Sequence, residues 1–371
     1  MVKNQKIRLS KKRSKRGEEE GFGLDFSQAK KIAEGLDNDL YPEIAQVESS
    51  NNYLLVWSKA FGHYSVLLLE TIEALAIKPD GFYVDATLGA GGYSRAILEK
   101  LGPNGRLLAI DIDPEPLRWA SLWGAKDSRL IVKQLNFGDL ADFLSQSGLG
   151  PADGLAADLG LNSRQLLDPS RGFSFNSEAA LDMRLDPSSP LTAFEIVNSW
   201  STQDLKTVFE RVCRPKLSEK IAQAIVESRK KEDIKSPKSL ALIIESALGL
   251  RPWVKTHPAT LFFLALRLEV NSELKNLNQF LVRARECLKP KGRLVTVSFH
   301  SLEDAMVKRA IFGSKEDERN QEPLRVEDLK GKRIRDSLWR PIYRKVVKPT
   351  AQEINLNPRA RSARLRAAEA I

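Results

Sequence analysis

The sequence predicts an α/β protein, a Rossmann-like parallel sheet wrapped by helices and interrupted after its fourth strand by a helical insertion. Three observations predict it. Short β-rich runs at 82–87, 106–111, 129–135 and 154–158 alternate with helical patterns, the layout of βαβ units. The first run ends in the glycine-rich turn Leu88-Gly89-Ala90-Gly91-Gly92, and a helix follows it. The alternation then stops, and strand texture returns only at Arg293–Phe299; the gap of about 100 residues is too long for a structureless loop in a compact domain.

In chain order, Val66, Leu67, Leu68, Glu70, Thr71, Ile72 and Leu75 suit an amphipathic helix. After strand one and its turn, a helix from Tyr93 to Leu101 stops at Gly102-Pro103-Asn104-Gly105, a strong breaker. Strand two ends in Asp111, and a helix starts at Pro114. Helices are expected within 205–211, 217–231 and 240–248, and a late strand at Ile342–Val347. The boundaries that follow are 1–52 for a basic, disordered extension with one short helix near Ser27–Leu36, and 53–164 for the first part of the α/β core. The helical insertion, assigned to substrate recognition, takes 165–270; the second part of the core with a basic C-terminal segment takes 271–371.

Composition narrows the function classes. No run approaches the length of a membrane span, and the basic N-terminus lacks the apolar stretch of a secretory signal, so a cytoplasmic protein is expected. Two cysteines and three dispersed histidines predict neither a disulfide framework nor a metal site. The net charge of +10 sits at the ends: residues 1–16 carry eight Lys or Arg and no acid, and 341–371 carry seven against two acids. The middle is slightly acidic. Such a layout suits attraction to a polyanion such as RNA, or is a solvated tail.

Strand, glycine turn, helix and a second strand ending in an acid form a nucleoside-binding half of a doubly wound fold. Asp111, 22 residues after Gly89, is placed to accept from both ribose hydroxyls. Two details favour S-adenosylmethionine over a dinucleotide. The turn is not G-x-G-x-x-G, and S-adenosylmethionine has no pyrophosphate to seat on a helix N-terminus. Asp158-Leu159-Gly160 ends strand four, facing the crevice where such sheets bind ligands.

Further motifs make the pattern specific: His63–Leu68, Asp85–Ser94, Ala109–Pro114, Asp158–Gln165, Arg171–Phe175, Leu181–Arg184, His257–Thr260, Ala265–Leu274, Ser298–Asp304 and Asn357–Ser362. In these the chain resembles the bacterial small-subunit (16S) ribosomal RNA cytosine-N4 methyltransferases, the RsmH or MraW family, over residues 60 to 371. The resemblance implies a class I S-adenosylmethionine-dependent methyltransferase core that methylates a cytidine amine of 16S rRNA near the decoding site, with the small ribosomal subunit as partner. It implies cofactor contacts at Gly91, Gly92, Tyr93, Asp111, Phe137, Asp158 and Gln165. A homodimer is left open.

The chain departs from the family pattern in four places. Tyr93 stands where histidine is usual, and Asn162-Ser163 replaces paired serines. Cys213–Lys216 stands near a missing Gly-Glu-Glu motif, and Ala305 replaces arginine. These changes touch substrate recognition more than the cofactor pocket. They keep open a nonenzymatic ribosome-assembly factor built on a degenerate methyltransferase. A DNA amino-methyltransferase lacks support because Asp158–Leu161 is not its Pro-Pro motif, and an NAD dehydrogenase lacks its fingerprint.

A cytosine amine is a weak nucleophile, so the chemistry calls for in-line positioning and acceptors for the amine hydrogens. Asp158 is the first candidate and Asn162 the second; His300 either contacts the base or fixes the Glu303–Asp304 loop. Arg171, Phe173, Phe175 and Arg184 offer cations and aromatic faces to an unstacked nucleotide, or anchor the insertion. Arg359 and Arg361, with Arg364 and Arg366, are expected on phosphates.

Overall fold

A computed structural model of the chain describes residues 65–124, 127–249, 257–313 and 338–371. The extension assigned to 1–52, its helix near Ser27–Leu36 and the motif start at His63 lie outside the described residues.

The chain runs through α1 (Leu68–Leu75), β1 (Phe82–Asp85), α2 (Gly92–Lys100), β2 (Arg106–Asp111), α3 (Pro114–Gly124), β3 (Leu130–Gln134), α4 (Leu140–Ser147) and β4 (Ala152–Asp158). A run of helices follows: α5 (Ser163–Leu167), α6 (Ala193–Ser199), α7 (Thr202–Glu210), α8 (Pro215–Arg229), α9 (Pro237–Leu248) and α10 (Thr260–Val270). Then come α11 (Glu273–Arg283), β5 (Leu288–Ser298), α12 (Ser301–Phe312), β6 (Trp339–Pro341), α13 (Ala351–Leu356) and β7 (Arg364–Ala370).

The strands form one sheet in the order β3-β2-β1-β4-β5-β7-β6. The first five pair in parallel, and β7 pairs antiparallel with both β5 and β6. Side chains alternate across it. Phe82 and Val84 of β1, with Leu108 and Ile110 of β2, face a layer containing α4, α11 and α12; Tyr83 and Leu107 face α1 and α2. Burial on both faces is why these strands read as continuous apolar runs rather than alternating ones.

The helices α6 to α10 pack round a separate core that includes Ile196, Leu205, Phe209, Ile221, Leu240 and Phe262. Several begin with a side-chain cap: Thr192 and Ser236 form capping boxes, and Ser201 caps α7.

Two expectations at the C-terminus are corrected. The late strand falls at Trp339–Pro341, with only an isolated bridge from Val347 to Leu365 in the expected stretch. The basic tail contains β7, the strand that fills the sheet between β5 and β6. Its arginines hid it. Arg366 and Arg364 pair with Asp304 of α12, at 2.7 and 3.1 Å, while Leu365, Ala367 and Ala368 are buried.

The chain passes from β3 at one side across to β4 at the other side of β1. That reversal opens a crevice at the carboxyl ends of β1 and β4, where ligands bind in open α/β sheets. Asp85, Asp111 and Asp158 each end a strand there.

Candidate active site

The floor of the crevice is the turn after β1. Asp85 is fully buried; its carboxylate accepts from Thr87 N at 3.2 Å and Ser94 Oγ at 2.7 Å. Burial pushes its pKa up to about 6 against those two bonds. Gly91 caps α2 at φ 83°, a left-handed conformation that suits glycine. Gly92 packs closely on Ser65: a Cβ there would meet Ser65 Oγ at 1.8 Å and Ser65 Cβ at 2.9 Å, so the serine would have to move.

Asp111 stands beside this turn. Oδ2 accepts from Gly89 N at 2.9 Å and Oδ1 from Asp113 N at 3.0 Å. The carboxylate is therefore aimed by backbone, with lone pairs left for two hydroxyls. Burial raises its pKa to about 7. Phe137 follows β3 in a short 3-10 turn and sits edge-on to Phe280, ring centroids 5.5 Å apart. It presents an apolar wall to the cavity.

Asp158 holds the other side. Its backbone N donates to Thr87 Oγ1 at 2.6 Å, which ties β4 to the glycine turn. Its Oδ1 is buried and has no hydrogen-bond partner among the described residues. Its pKa is raised well above the usual carboxylate range, first by burial and then by repulsion from Asp85, Glu303 and Glu353. An acceptor left without a donor in a ligand cavity is poised for a ligand hydrogen.

Asn162 and Gln165 form the capping box of α5. Asn162 Oδ1 accepts from Gln165 N at 2.9 Å, and Gln165 Oε1 accepts from Asn162 N at 3.0 Å. Gln165 Nε2 donates to Asp113 Oδ2 at 2.8 Å. The Gln165 amide is thus engaged at both ends, and its side chain supports the cavity wall.

One cavity is lined by Gly92, Tyr93, Asp111, Phe137, Asp158, Asn162, Gln165 and Arg359 from the expected set. Gly91, His300, Arg171, Phe173, Phe175, Arg184 and Arg361 do not line it. His300 caps α12, with Nδ1 accepting from Glu303 N at 3.4 Å. Arg171 is held by Asp113 at 2.7 Å and Glu115 at 2.9 Å. Phe173 lies in the core of the helical segment, Phe175 stacks on His257 at 4.1 Å, and Arg184 is forked onto Asp182. Arg359 and Arg361 are exposed.

Sequence reasoning missed several lining residues: Ser65, Leu185, Glu273, Glu303 and Asn357 among them. Glu303 is the most consequential. It is buried, and its Oε2 accepts from Phe299 N at 2.9 Å and His300 N at 3.2 Å. Burial alone would raise its pKa, but the bond and charge of His300, with Arg267 beyond, hold it below the usual value. A signal was present, since Glu303 stands three residues after the His300 cap, the spacing of a capping box.

The sheet with its antiparallel β7 between β5 and β6, the glycine turn that lacks a dinucleotide fingerprint and the carboxylate at the end of β2 are the arrangement of a class I, S-adenosylmethionine-dependent methyltransferase. The chain belongs to the MraW methylase family, whose sequence profile matches residues 60–371. It is 42% identical over 315 residues to the ribosomal RNA small subunit methyltransferase H of Shewanella halifaxensis, covering 84% of this chain and 98% of that protein. To the protein of the same name from Thermomicrobium roseum it is 44% identical over 310 residues, 83% of this chain and 94% of the relative. Among solved structures, an rRNA methylase from Streptococcus thermophilus aligns at TM-score 0.36 and 11% identity over 82% of this chain and 95% of that one.

The residues present fit the cofactor. A glycine floor closely packed at Gly92, a backbone-aimed carboxylate at Asp111 and the aromatic wall of Phe137 suit a nucleoside; the carboxylate oxygen of Asp158, unpartnered among the described residues, suits a cationic, hydrogen-bonding ligand. Among the described residues no group of His, Cys, Asp and Glu is placed to hold a metal, and no helix is long and apolar enough to cross a membrane.

Proposed function

We propose that this protein methylates the exocyclic N4 amine of a cytidine in 16S ribosomal RNA, near the decoding site, acting on the small ribosomal subunit in the cytoplasm. The family assignment and the relatives named as ribosomal RNA small subunit methyltransferases support this reading. The observation that carries it is that Asp158, whose buried Oδ1 has no hydrogen-bond partner among the described residues, lines the same cavity as the cofactor turn.

S-adenosylmethionine, when bound, supplies an electrophilic methyl group on a sulfonium. The cofactor-binding set is Gly92, Tyr93, Asp111, Phe137 and Asp158, with Asp111 on the sugar hydroxyls and Phe137 beside the adenine, while Gly91 acts through the turn it shapes at the start of α2 and Gln165 through its support of the wall. Asp158 accepts a hydrogen from the substrate amine, which turns the nitrogen lone pair toward the reacting carbon and favours a pyramidal nitrogen. The methylated amine then sheds a proton readily, and Asp158 lies ready to take it. His300 acts through α12 and Glu303. On the RNA side, Arg359 at the cavity rim and Arg361 beside it hold phosphates. Arg171, Phe173, Phe175 and Arg184 act on RNA by shaping the helical segment.

The test is mass spectrometry of small-subunit rRNA nucleosides from cells with and without the gene. N4-methylcytidine should be present at one mapped position in the first and missing at that position in the second. An unchanged nucleoside profile would overturn the reading.

A further inference from the structure

The end of β4 and the start of α5 bring two polar side chains to the cavity wall, and they are of opposite kind. Asp158 ends the strand, lines the cavity and has a buried Oδ1 with no donor among the described residues. Asn162, four residues later, is half-buried and lines the same cavity.

The orientation of the Asn162 amide is determined by its neighbours. Its oxygen accepts from Gln165 N at 2.9 Å. Exchanging oxygen and nitrogen would set an NH2 group against that N–H, so Oδ1 stays on the helix side. The cap is itself braced, because Gln165 donates onward to the fully buried Asp113 at 2.8 Å. Nδ2 therefore takes the opposite prong, and it makes no hydrogen bond among the described residues. The amide lies over the cofactor turn: a Cβ on Gly89 would be 3.7 Å from Asn162 Cβ and 3.9 Å from Nδ2.

We propose that Asn162 determines base specificity: Nδ2 donates to the ring nitrogen next to the target amine, while Asp158 Oδ1 accepts from the amine itself. This rests on the amine-methylation reading above. It assigns Asn162 a donor's role, because its acceptor is committed to the helix cap.

The complementarity follows from the bases. Cytosine presents a donor at N4 beside an acceptor at N3, and adenine presents the same pair at N6 and N1. Uracil presents O4 and N3–H, and guanine O6 and N1–H, so each meets Asp158 and Asn162 with both groups reversed. A site whose buried groups are left unpaired rejects the wrong ligand more strongly than one that merely lacks a contact. The pair thus selects an N=C–NH2 edge. Choice between cytosine and adenine falls to the rest of the cavity.

The experiment is a cycle between protein and substrate. Wild-type protein and Asn162→Asp are assayed on a small-subunit rRNA fragment with cytidine or 3-deazacytidine at the mapped position. Aspartate keeps the cap acceptor but replaces the donor. Deazacytidine keeps the amine but lacks the N3 acceptor, and its altered amine reactivity is common to both proteins and cancels. The wild-type protein should lose at least about tenfold in kcat/KM on the deaza substrate, and Asn162→Asp should lose about tenfold on cytidine with little further loss on deazacytidine. RNA affinity in the presence of S-adenosylhomocysteine, measured by fluorescence anisotropy without turnover, should show the same coupling. The melting temperature of Asn162→Asp should match that of wild type. Equal losses for both proteins on the deaza substrate would overturn the assignment of Asn162 and leave amine methylation standing. Failure of the wild-type protein to methylate the cytidine fragment at all would overturn both.

Discussion

At the scale of single residues, the cavity is unusual in its excess of carboxylates. Asp111, Asp158, Glu273 and Glu303 all line it. Burial raises Asp111 from 3.8 to about 7, and the backbone donors at Gly89 and Asp113 only partly oppose it. Between those values the folded protein holds a proton that the unfolded chain has released, so Asp111 costs stability as pH rises through that window. A cationic ligand whose hydroxyls donate to Asp111 favours the charged form and pulls the pKa down. Affinity for S-adenosylmethionine should therefore rise between pH 5 and 8, with protons released on binding. Calorimetry in buffers of different ionisation enthalpy measures both, and a pH-independent affinity without proton release would contradict the role of these carboxylates. Asp111 itself was legible in sequence, from its place at the end of an apolar strand 22 residues past Gly89. Glu303 was not singled out, because its approach to the cavity depends on how α12 packs beside β5.

At the scale of elements, the short stretch after α5 joins two parts of the molecule. Arg171 ends a 3-10 turn and reaches back to Asp113, at the start of α3, with both terminal nitrogens. Nη1 also donates to Leu185 O at 3.3 Å, on a stretch whose Leu185 lines the cavity. Asn271 holds that stretch from the far side, accepting from Leu185 N at 2.7 Å. Asp113 is fully buried and Arg171 half-buried against it. Removing the guanidinium leaves a buried charge unpaired, which costs roughly 3–5 kcal/mol. Arg171→Met should lower unfolding stability in urea by about that amount. Unchanged stability would show that Arg171 is free to serve RNA directly. From sequence, an arginine and two phenylalanines in a row read equally as RNA contacts or as anchors. The choice depends on Asp113 and His257, which lie far along the chain and show no local pattern with them.

At the scale of the whole molecule, the last seven strand residues finish the sheet. β7 lies between β5 and β6 and pairs with each in antiparallel register. Its Leu365, Ala367, Ala368 and Ala370 are buried, and its arginines hold Asp304 of α12. A chain ending at Ala363 would expose the edge of β5 and part β6 from the sheet. It should accumulate in the insoluble fraction and lack a cooperative thermal transition. A soluble truncation that still melts cooperatively would show that the sheet closes without β7.

The α/β alternation, the glycine turn, the carboxylates that end the strands and the run of helices after β4 were legible in the amino-acid order. All of these are written in local periodicity or in the demands of a single turn. Tertiary packing settled that a basic tail is an interior strand, that Arg171 is held by Asp113 and that the oxygen of Asn162 is committed to a helix cap braced by Asp113. Each of those outcomes depends on a partner distant in sequence or on the competition for one hydrogen-bonding atom. Such choices are settled by packing, because burial makes an unpaired polar group too costly to leave alone.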